Sequence, residues 1–168
     1  MTFTIRRIIG DDWQEFREIR LRMLADTPIA YGETLEQARQ RGDAEWIQSA
    51  SRNEQGSNIG FVAIDDDGRW LGVMRGYVSP AAGPMLVGVF VDPDARGRHA
   101  GIADALLDRV IEWARIYGTT LTLDVHADNA RAIAFYTRRG FVNTGHTMPY
   151  ELHDGGIENE MRLQLAAK

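Results

Sequence analysis

The 168-residue sequence contains no cysteine and only one lysine, Lys168. Without cysteine the chain has no disulfide, no thiolate metal ligand, no iron–sulfur cluster and no cysteine nucleophile. A phosphate loop of the P-loop type needs a Gly-Lys-Ser/Thr core, which a single C-terminal lysine does not provide. Schiff-base chemistry would need an internal lysine. The absences therefore exclude P-loop nucleotide hydrolysis and several classes of covalent and metal catalysis.

Long hydrophobic runs and an excess of positive charge are also missing. The longest strongly apolar run, at 85–91, is too short to cross a bilayer. The N-terminus has neither the apolar segment nor the cleavage site of a secretory signal. The formal net charge is −5, whereas general binding to nucleic acid needs a basic surface. We expect a cytoplasmic protein without a membrane or nucleic-acid partner.

The overall composition is that of a soluble globular domain. Hydrophobic residues make up 44% and charged residues 26% of the chain, and no repeat or Pro/Gly/Ser-rich linker divides it. A chain of this length buries a full core without covalent crosslinks. The four histidines have no metal-ligand spacing among them, so no metal site is predicted. We predict a single domain over residues 1–168.

Hydrophobic periodicity predicts seven strands and several helices. The strands are expected at 3–9, 59–64, 70–78, 85–91, 121–125, 141–147 and 157–165. Asp11 or Asp12 is expected to cap the first helix, which ends at Thr27-Pro28, and a second helical stretch breaks into two short helices at Gly42-Asp43. Later helices are expected at about 101–116 and 129–139.

The order of these elements is β-α-α-β-β-β-α-β-α-β-β. Such an order predicts an α/β fold with a mixed sheet and helices on both of its faces. Segment 85–91 is apolar throughout, which is typical of a strand in the middle of a sheet.

The most informative segment follows strand 85–91, where a loop rich in glycine and arginine leads into helix 101–116. The first N–H groups of a helix lack intrahelical partners and carry the positive end of its dipole. Ala100, Gly101 and Ala103 are small enough for a ligand to approach the backbone, and Arg96 and Arg98 add positive charge. These features predict a pyrophosphate site. An ordinary strand–turn–helix with solvated arginines is the alternative.

Two motifs in this order resemble a known family. Arg98-x-x-Gly101-x-Ala103, followed by two leucines, is similar to the acetyl-CoA signature of the GNAT N-acetyltransferase superfamily. The stretch 121–141, with its Asn-x-Arg-Ala-Ile-x-Phe-Tyr core, resembles the same family, and so does Glu-Met-Arg-Leu at 160–163. The resemblance covers residues 1 to about 165, while its specific motifs lie between 86 and 141.

The resemblance implies the GNAT fold, with a central, mixed, mostly antiparallel sheet flanked by helices. It also implies acetyl-CoA as cofactor and transfer of the acetyl group to a primary amine, on a small molecule or a peptide, by direct attack in a ternary complex. The strand at 86–91 would splay from the strand at 121–126, and backbone groups near Phe90 and Val91 would hold the pantetheine arm. The implied cofactor-binding residues are Phe90, Val91, Arg96, Arg98, His99, Ala100, Gly101, Ile102, Ala103, Asn129 and Tyr136.

Three positions in this set have competing interpretations. The loop before Gly101 is about two residues longer than in common family members, so either Arg96 or Arg98 is the motif arginine. Tyr136 matches the family tyrosine that protonates the leaving thiolate, although most tyrosines in such a helix only pack. Asn129 matches a family residue that contacts the cofactor arm, and it also suits a helix N-cap.

The general base is the least determined part of the prediction. Many family members place a glutamate on the splayed strand, but 85–91 contains no carboxylate. The base must therefore come from elsewhere or act through water. Glu33, in a loop that lines the acceptor site in relatives, and His126, whose ordinary pKa suits the role, are the first candidates. The remaining candidates are Glu36, Tyr150 and Glu151.

Two other functions fit the same residues. The missing strand carboxylate is compatible with a non-catalytic module that binds or senses acyl-CoA, although the retained Tyr136 argues against it. A transferase for a different acyl-CoA is the other alternative, because nothing in the sequence sets the size of an acyl pocket. The oligomeric state is expected to be a monomer or a homodimer.

Overall fold

The computed structural model describes residues 2–167 and confirms the predicted α/β fold class with a mixed sheet. As predicted, the second helical stretch is divided at Gly42. The elements are β1 (Phe3–Arg7), α1 (Trp13–Asp26), α2 (Leu35–Gln40), α3 (Asp43–Ser51), β2 (Ile59–Asp65), β3 (Trp70–Ser79), β4 (Gly83–Val91), α4 (Ile102–Tyr117), β5 (Thr120–His126), α5 (Ala130–Arg138), β6 (Val142–Pro149) and β7 (Ile157–Gln164).

The seven strands form one sheet in the order β1-β2-β3-β4-β5-β7-β6, which puts β4 in the middle, as predicted. Every neighbouring pair is antiparallel except β4 and β5. Strands β4 and β5 pair at a single register position, Met85 with Thr122 near their N-terminal ends. Beyond that position the two strands separate, and a gap opens towards Val91 and His126.

Two hydrophobic clusters cover the two faces of the sheet. On one face α4 packs its buried stripe, which includes Leu106 and Val110, against Leu121 and Leu123 of β5. On the other face α1, α2 and α3 form a second cluster, built around the fully buried Trp46. Helices on both faces were predicted from the element order, and this arrangement leaves the gap between β4 and β5 as the opening between the two layers.

The start of α1 differs from the prediction. Asp12 occupies the N-cap position, but its carboxylate does not cap the helix. It accepts a hydrogen bond from the Ile9 N–H at 2.9 Å and pairs with Arg6 at 2.7 Å. A 3₁₀ turn at Gly10–Asp12 precedes α1 and directs the carboxylate back towards β1, so the side chain ties the turn to the sheet instead of to the helix.

Candidate active site

A cleft of about 780 Å³ occupies the gap between β4 and β5. Strands β3 and β7, the loop after α1, the loop after β4, the first turn of α4 and helix α5 contribute to its walls. The cleft brings together eight of the residues that the sequence singled out. These are Phe90, Val91, Arg96, Arg98, Ala103, His126, Asn129 and Tyr136.

The loop and first helical turn at residues 92–104 form one end of this cleft, here called the α4 end. Gly101 is the N-cap of α4 with φ of 70°, a left-handed conformation that favours glycine. The first helical hydrogen bond runs from the Ala105 N–H to the Gly101 carbonyl at 3.0 Å. The N–H groups of Ile102, Ala103 and Asp104 therefore have no intrahelical partner. A Cβ added at Gly101 would meet nothing within 4 Å, so this turn is open to a ligand.

The two arginines of the α4 end have different environments. The Arg96 Nε donates to the Val91 carbonyl at 2.8 Å, and its guanidinium is paired with Asp26. It also lies 5.6 Å from the centroid of the Phe90 ring. Arg98 is exposed and has neither a hydrogen bond nor an ion pair to any residue in 2–167. Arg96 therefore has a structural role, while Arg98 keeps all its donors available.

Four of the predicted cofactor residues do not line the cleft with their side chains. The Ile102 side chain is 1% exposed and belongs to the core, and Ala100 packs against the same core. His99 is exposed outside the cleft, and Gly101 offers only backbone. The first turn of α4 points the Ile102 side chain into the core, so any contact of this residue with a cofactor would be made by its backbone N–H.

Strand β4 presents polar backbone groups to the gap. The carbonyl oxygen of Val89 accepts a hydrogen bond from the Tyr31 hydroxyl at 2.7 Å, and that of Val91 accepts from Arg96. The N–H and C=O of one strand residue lie on the same edge, so the N–H groups of Val89 and Val91 also face the gap. The backbone of Phe90 faces β3 and its side chain is buried in the second cluster, so the strand groups that face the gap belong to its neighbours Val89 and Val91.

Tyr136 and Asn129 reach the cleft from helix α5 and the residue before it. Tyr136 is 6% exposed, and burial raises the pKa of its phenol. Its hydroxyl forms no hydrogen bond to any other residue in the described range, so the proton remains available for donation into the cleft. Asn129 is an N-cap, as the alternative interpretation has it, because its Oδ1 accepts from the Ala132 N–H at 3.3 Å.

The two leading candidates for the base are already engaged. Glu33 does not line the cleft, and its carboxylate accepts from Arg20 at 3.1 Å and from Arg41 at 3.4 Å. His126 does line it, but its Nδ1 accepts the Asp128 N–H at 3.1 Å. The ring proton then lies on Nε2, which is buried without a partner among the described residues. Neither side chain offers a free acceptor to an incoming proton.

The three other candidates also lie outside the cleft lining. Glu36 is exposed on α2, and Glu151 is exposed in the turn between β6 and β7. Tyr150 is buried, and its hydroxyl donates to the Tyr31 carbonyl at 2.8 Å. Together with the Tyr31 hydroxyl bond to β4, this contact fastens the loop after α1 over the gap.

Two carboxylates in the cleft that have no ion pair within residues 2–167 were missed by the sequence reasoning. Asp124 on β5 and Glu158 on β7 both line it. Burial, and then the charge of Glu160, raises the pKa of Asp124. Burial, and then the charges of Asp124 and Glu151, raises the pKa of Glu158. A carboxylate with a raised pKa in a cleft is a candidate acid–base group. For Asp124 the signal was the alternation along β5, where the polar residues lie on the face opposite to Leu121, Leu123 and Val125.

Other site types are not seen in residues 2–167. No group of three or more His, Asp or Glu side chains there is placed to hold a metal ion. Within the same range, none of the helices is both long and apolar enough to span a membrane.

Comparison with known proteins gives consistent matches. The sequence profile of the acetyltransferase (GNAT) family matches residues 13–141. An uncharacterized N-acetyltransferase of Methanocaldococcus jannaschii is 31% identical over 147 residues, which are 83% of this chain and 61% of that protein. A peptidyl-lysine N-acetyltransferase of Salmonella typhimurium is 31% identical over 51% of each chain. The chain thus spans about half to three fifths of the length of these curated relatives.

Solved structures share the fold. A phosphinothricin acetyltransferase of the GNAT superfamily from Sinorhizobium meliloti, crystallised in complex with acetyl-CoA, superposes with a TM-score of 0.78. The match covers 98% of this chain and 89% of that one, at 21% sequence identity.

Proposed function

Since the chain belongs to the acetyltransferase (GNAT) family, we propose that it transfers the acetyl group of acetyl-CoA to a primary amine. The observation that carries this proposal is the cleft between β4 and β5, which joins an open helix N-terminus at the α4 end to the free hydroxyl of Tyr136. We propose that residues 1–168 work as a single domain and that it acts in the cytoplasm as a monomer or homodimer.

Acetyl-CoA would lie along the gap with its pyrophosphate at the α4 end. There the free N–H groups of Ile102, Ala103 and Asp104 and the guanidinium of Arg98 are suited to phosphate oxygens. The pantetheine arm carries amide groups, which would pair with the N–H groups of Val89 and Val91 on the open edge of β4. The same edge offers an N–H donor to the thioester carbonyl.

The acetyl group would move in a single displacement. The amine nitrogen forms a bond to the thioester carbon, the carbon–sulfur bond breaks, and the electron pair of that bond leaves on sulfur. The thiolate takes a proton from the Tyr136 hydroxyl, and the amine loses one proton to a base. Tyr136 suits its role by position, because it lines the cleft and its hydroxyl has no hydrogen-bond partner among the described residues.

Glu158 is the base that this arrangement favours. It lines the cleft, it is only half-buried, and its raised pKa makes it a better proton acceptor than an ordinary surface glutamate. Asp124, the next carboxylate on the cleft wall, is the alternative acceptor. Glu33 and His126 remain predictions that the contacts described above do not favour. Arg75, Asp124 and Glu158 together define what is called below the acceptor end of the cleft.

The experiment is an amine panel with release of the CoA thiol as the readout. Amino acids, polyamines, aminoglycosides and lysine peptides are offered with acetyl-CoA, and propionyl- and succinyl-CoA are offered in parallel. We expect thiol release that depends on an amine. Binding of CoA without turnover of any amine would instead support the non-catalytic acyl-CoA module, and a faster reaction with a longer acyl-CoA would support the other alternative.

A further inference from the structure

Arg75 is a cation without an anion. It projects from β3 into the wall of the cleft and is half-buried, and no carboxylate in residues 2–167 forms an ion pair with it. Its Nε donates to the neutral Oδ1 of Asn53 at 3.1 Å, and its guanidinium lies 5.3 Å from the centroid of the Phe16 ring. The two terminal nitrogens have no hydrogen-bond partner within the described range.

The surroundings of Arg75 are positive. Burial lowers the pKa of its guanidinium to about 10, and the charges of Arg20, Arg52 and Arg41 act in the same direction. A desolvated cation among like charges is costly unless an anion compensates it. Because no such anion is found among the described residues, an anionic ligand at this position would compensate the buried charge of Arg75.

The other arginines of the cleft already have anionic partners, with one exception. Arg20 pairs with Glu33, Arg96 and Arg131 pair with Asp26, and Arg138 pairs with Asp104. The exception is Arg98, which the proposed function assigns to the phosphates of CoA. Arg75 alone is left without an anion from the protein or from the cofactor.

In the binding mode proposed above, the phosphates of CoA would lie at the α4 end and not beside Arg75. The side chain of Arg75 packs with Phe16 of α1 and with Asn53, on the face of the sheet that α1 to α3 cover. Helix α4 and its open N-terminus lie on the opposite face. Arg75 is opposite Val87 in the β3–β4 register, beside the left-handed Gly88, and therefore next to the middle of the open edge of β4. Under the proposed function, the acceptor would approach the thioester from this part of the cleft.

We propose that Arg75 binds the carboxylate of the acceptor, so that the substrate is an amino acid or a close analogue that carries both an amine and a carboxylate. This inference rests on the proposed function and names its substrate class. The planar guanidinium, held at Nε by Asn53, presents its two terminal nitrogens for bidentate contact with a carboxylate. The ammonium group of the same molecule would face Asp124 and Glu158 before it loses its proton.

An acceptor with positive charge only fits this end of the cleft less well. The side chain of a peptidyl lysine would be attracted by Asp124 and Glu158, but it would leave Arg75 uncompensated and would add a further positive charge near it. A molecule with both charges would place its carboxylate at Arg75 and its ammonium group towards Asp124 and Glu158.

The test compares amino acids with their carboxamides as acceptors, which differ in the carboxylate charge. Thiol release gives kcat/KM for wild-type protein, Arg75→Gln, Arg75→Lys and the control Arg109→Gln, which alters an exposed arginine on α4 away from the cleft. We expect a preference of about tenfold or more for the carboxylate form in the wild type, the size of a charge-assisted interaction. Arg75→Gln should remove the preference, Arg75→Lys should keep part of it, and Arg109→Gln should retain it.

A second arm measures binding without turnover. N-Acetyl amino acids and their carboxamides are titrated calorimetrically into the CoA-bound protein, and the CoA-induced rise in Tm checks that each variant is folded. Tighter binding of the carboxylate form by the wild type and by Arg109→Gln, but not by Arg75→Gln, supports the inference. If these binding results are obtained and no amine is acetylated, the proposed function fails while the inference about the ligand stands. The inference is overturned if the wild type shows equal kcat/KM and equal affinity for acids and carboxamides, or if Arg75→Gln lowers these values equally for both. Turnover of lysine peptides alone also overturns it.

Discussion

The two ends of the cleft present different kinds of chemical groups to a ligand. At the α4 end the ligand-facing groups are mainly backbone N–H groups, presented by one continuous segment that runs from the end of β4 into α4. At the acceptor end they are side chains from three strands, Arg75 of β3, Asp124 of β5 and Glu158 of β7. The first end suits a ligand common to a whole family, and the second can change with a few substitutions on the same scaffold.

The difference also concerns charge. Arg96 and Arg131 at the α4 side share one anionic partner, Asp26, whereas Arg98 has no ion pair within residues 2–167 and is the available cation there. The acceptor end separates an unpaired guanidinium from two carboxylates whose pKa values are raised. One end therefore attracts phosphate, while the other is arranged for a ligand with two opposite charges.

The largest effect is expected from Gly101→Asp, which attacks the α4 end alone. The substitution puts a negative charge where the phosphates would approach and forces a side chain on a left-handed residue. We expect CoA to bind about a hundredfold more weakly and its stabilising effect on Tm to disappear. The matched control is Gly68→Asp, which imposes the same charge on a left-handed, open position in the β2–β3 turn. Undiminished CoA binding in Gly101→Asp would mean that the phosphates lie elsewhere.

Tyr136→Phe tests the chemistry between the two ends. The hydroxyl has no partner among residues 2–167, so its removal leaves the packing of α5 intact, and CoA affinity should be unchanged. We expect kcat to fall about tenfold or more with little change in KM, the pattern of an interaction made in the transition state. Tyr117→Phe, on the exposed end of α4, is the control. If Tyr136→Phe keeps full turnover, Tyr136 is not the general acid and contributes only to packing.

A smaller effect separates the two arginines of the α4 end. Arg98→Gln should weaken CoA binding about fivefold, a value reduced by the exposure of the side chain, and leave Tm of the free protein unchanged. Arg96→Gln should instead lower the stability of the free protein by about 1–2 kcal/mol, because it loses Asp26 and the Val91 carbonyl. Thermal melts with and without CoA measure both quantities. The reverse pattern would assign the motif arginine to Arg96.

The smallest effect concerns the pH dependence at the acceptor end. If Glu158 takes the proton, kcat/KM rises with pH through the pKa of that carboxyl. Asp124→Asn removes a negative charge that holds this pKa up, so the ascending limb should move to lower pH by less than about one unit. Glu158→Gln should abolish the limb, whereas Glu33→Gln and His126→Gln should leave it in place. If the ascending limb moves only in Glu33→Gln or His126→Gln, the general base is the residue changed in that variant, as the sequence led us to expect.

The sequence predicted the α4 end better than the acceptor end, and the reason is the range of the contacts. Strand, loop and helix at 85–116 are contiguous, so the spacing of Gly101 and Ala103 is visible in the chain itself. Glu158 meets the cleft only because β7 pairs with β5, and Arg75 only because β3 lies beside β4. Pairings of this kind are decided by the whole sheet and are not visible in the local sequence. The sequence therefore pointed to Glu33, a loop residue whose carboxylate is paired with Arg20 and Arg41.

Strands β4 and β5 pair only at Met85 and Thr122, and this affects where local unfolding should begin. The strands before it, β1 to β4, and those after it, β5 to β7, form two ladders that share almost no backbone hydrogen bonds, and α4 packs across both. Local opening should follow this seam first, since the edges of β4 and β5 there are unpaired. A ligand lying in the gap would act as an eighth strand between β4 and β5. When it dissociates, the two halves of the sheet would be held together less tightly.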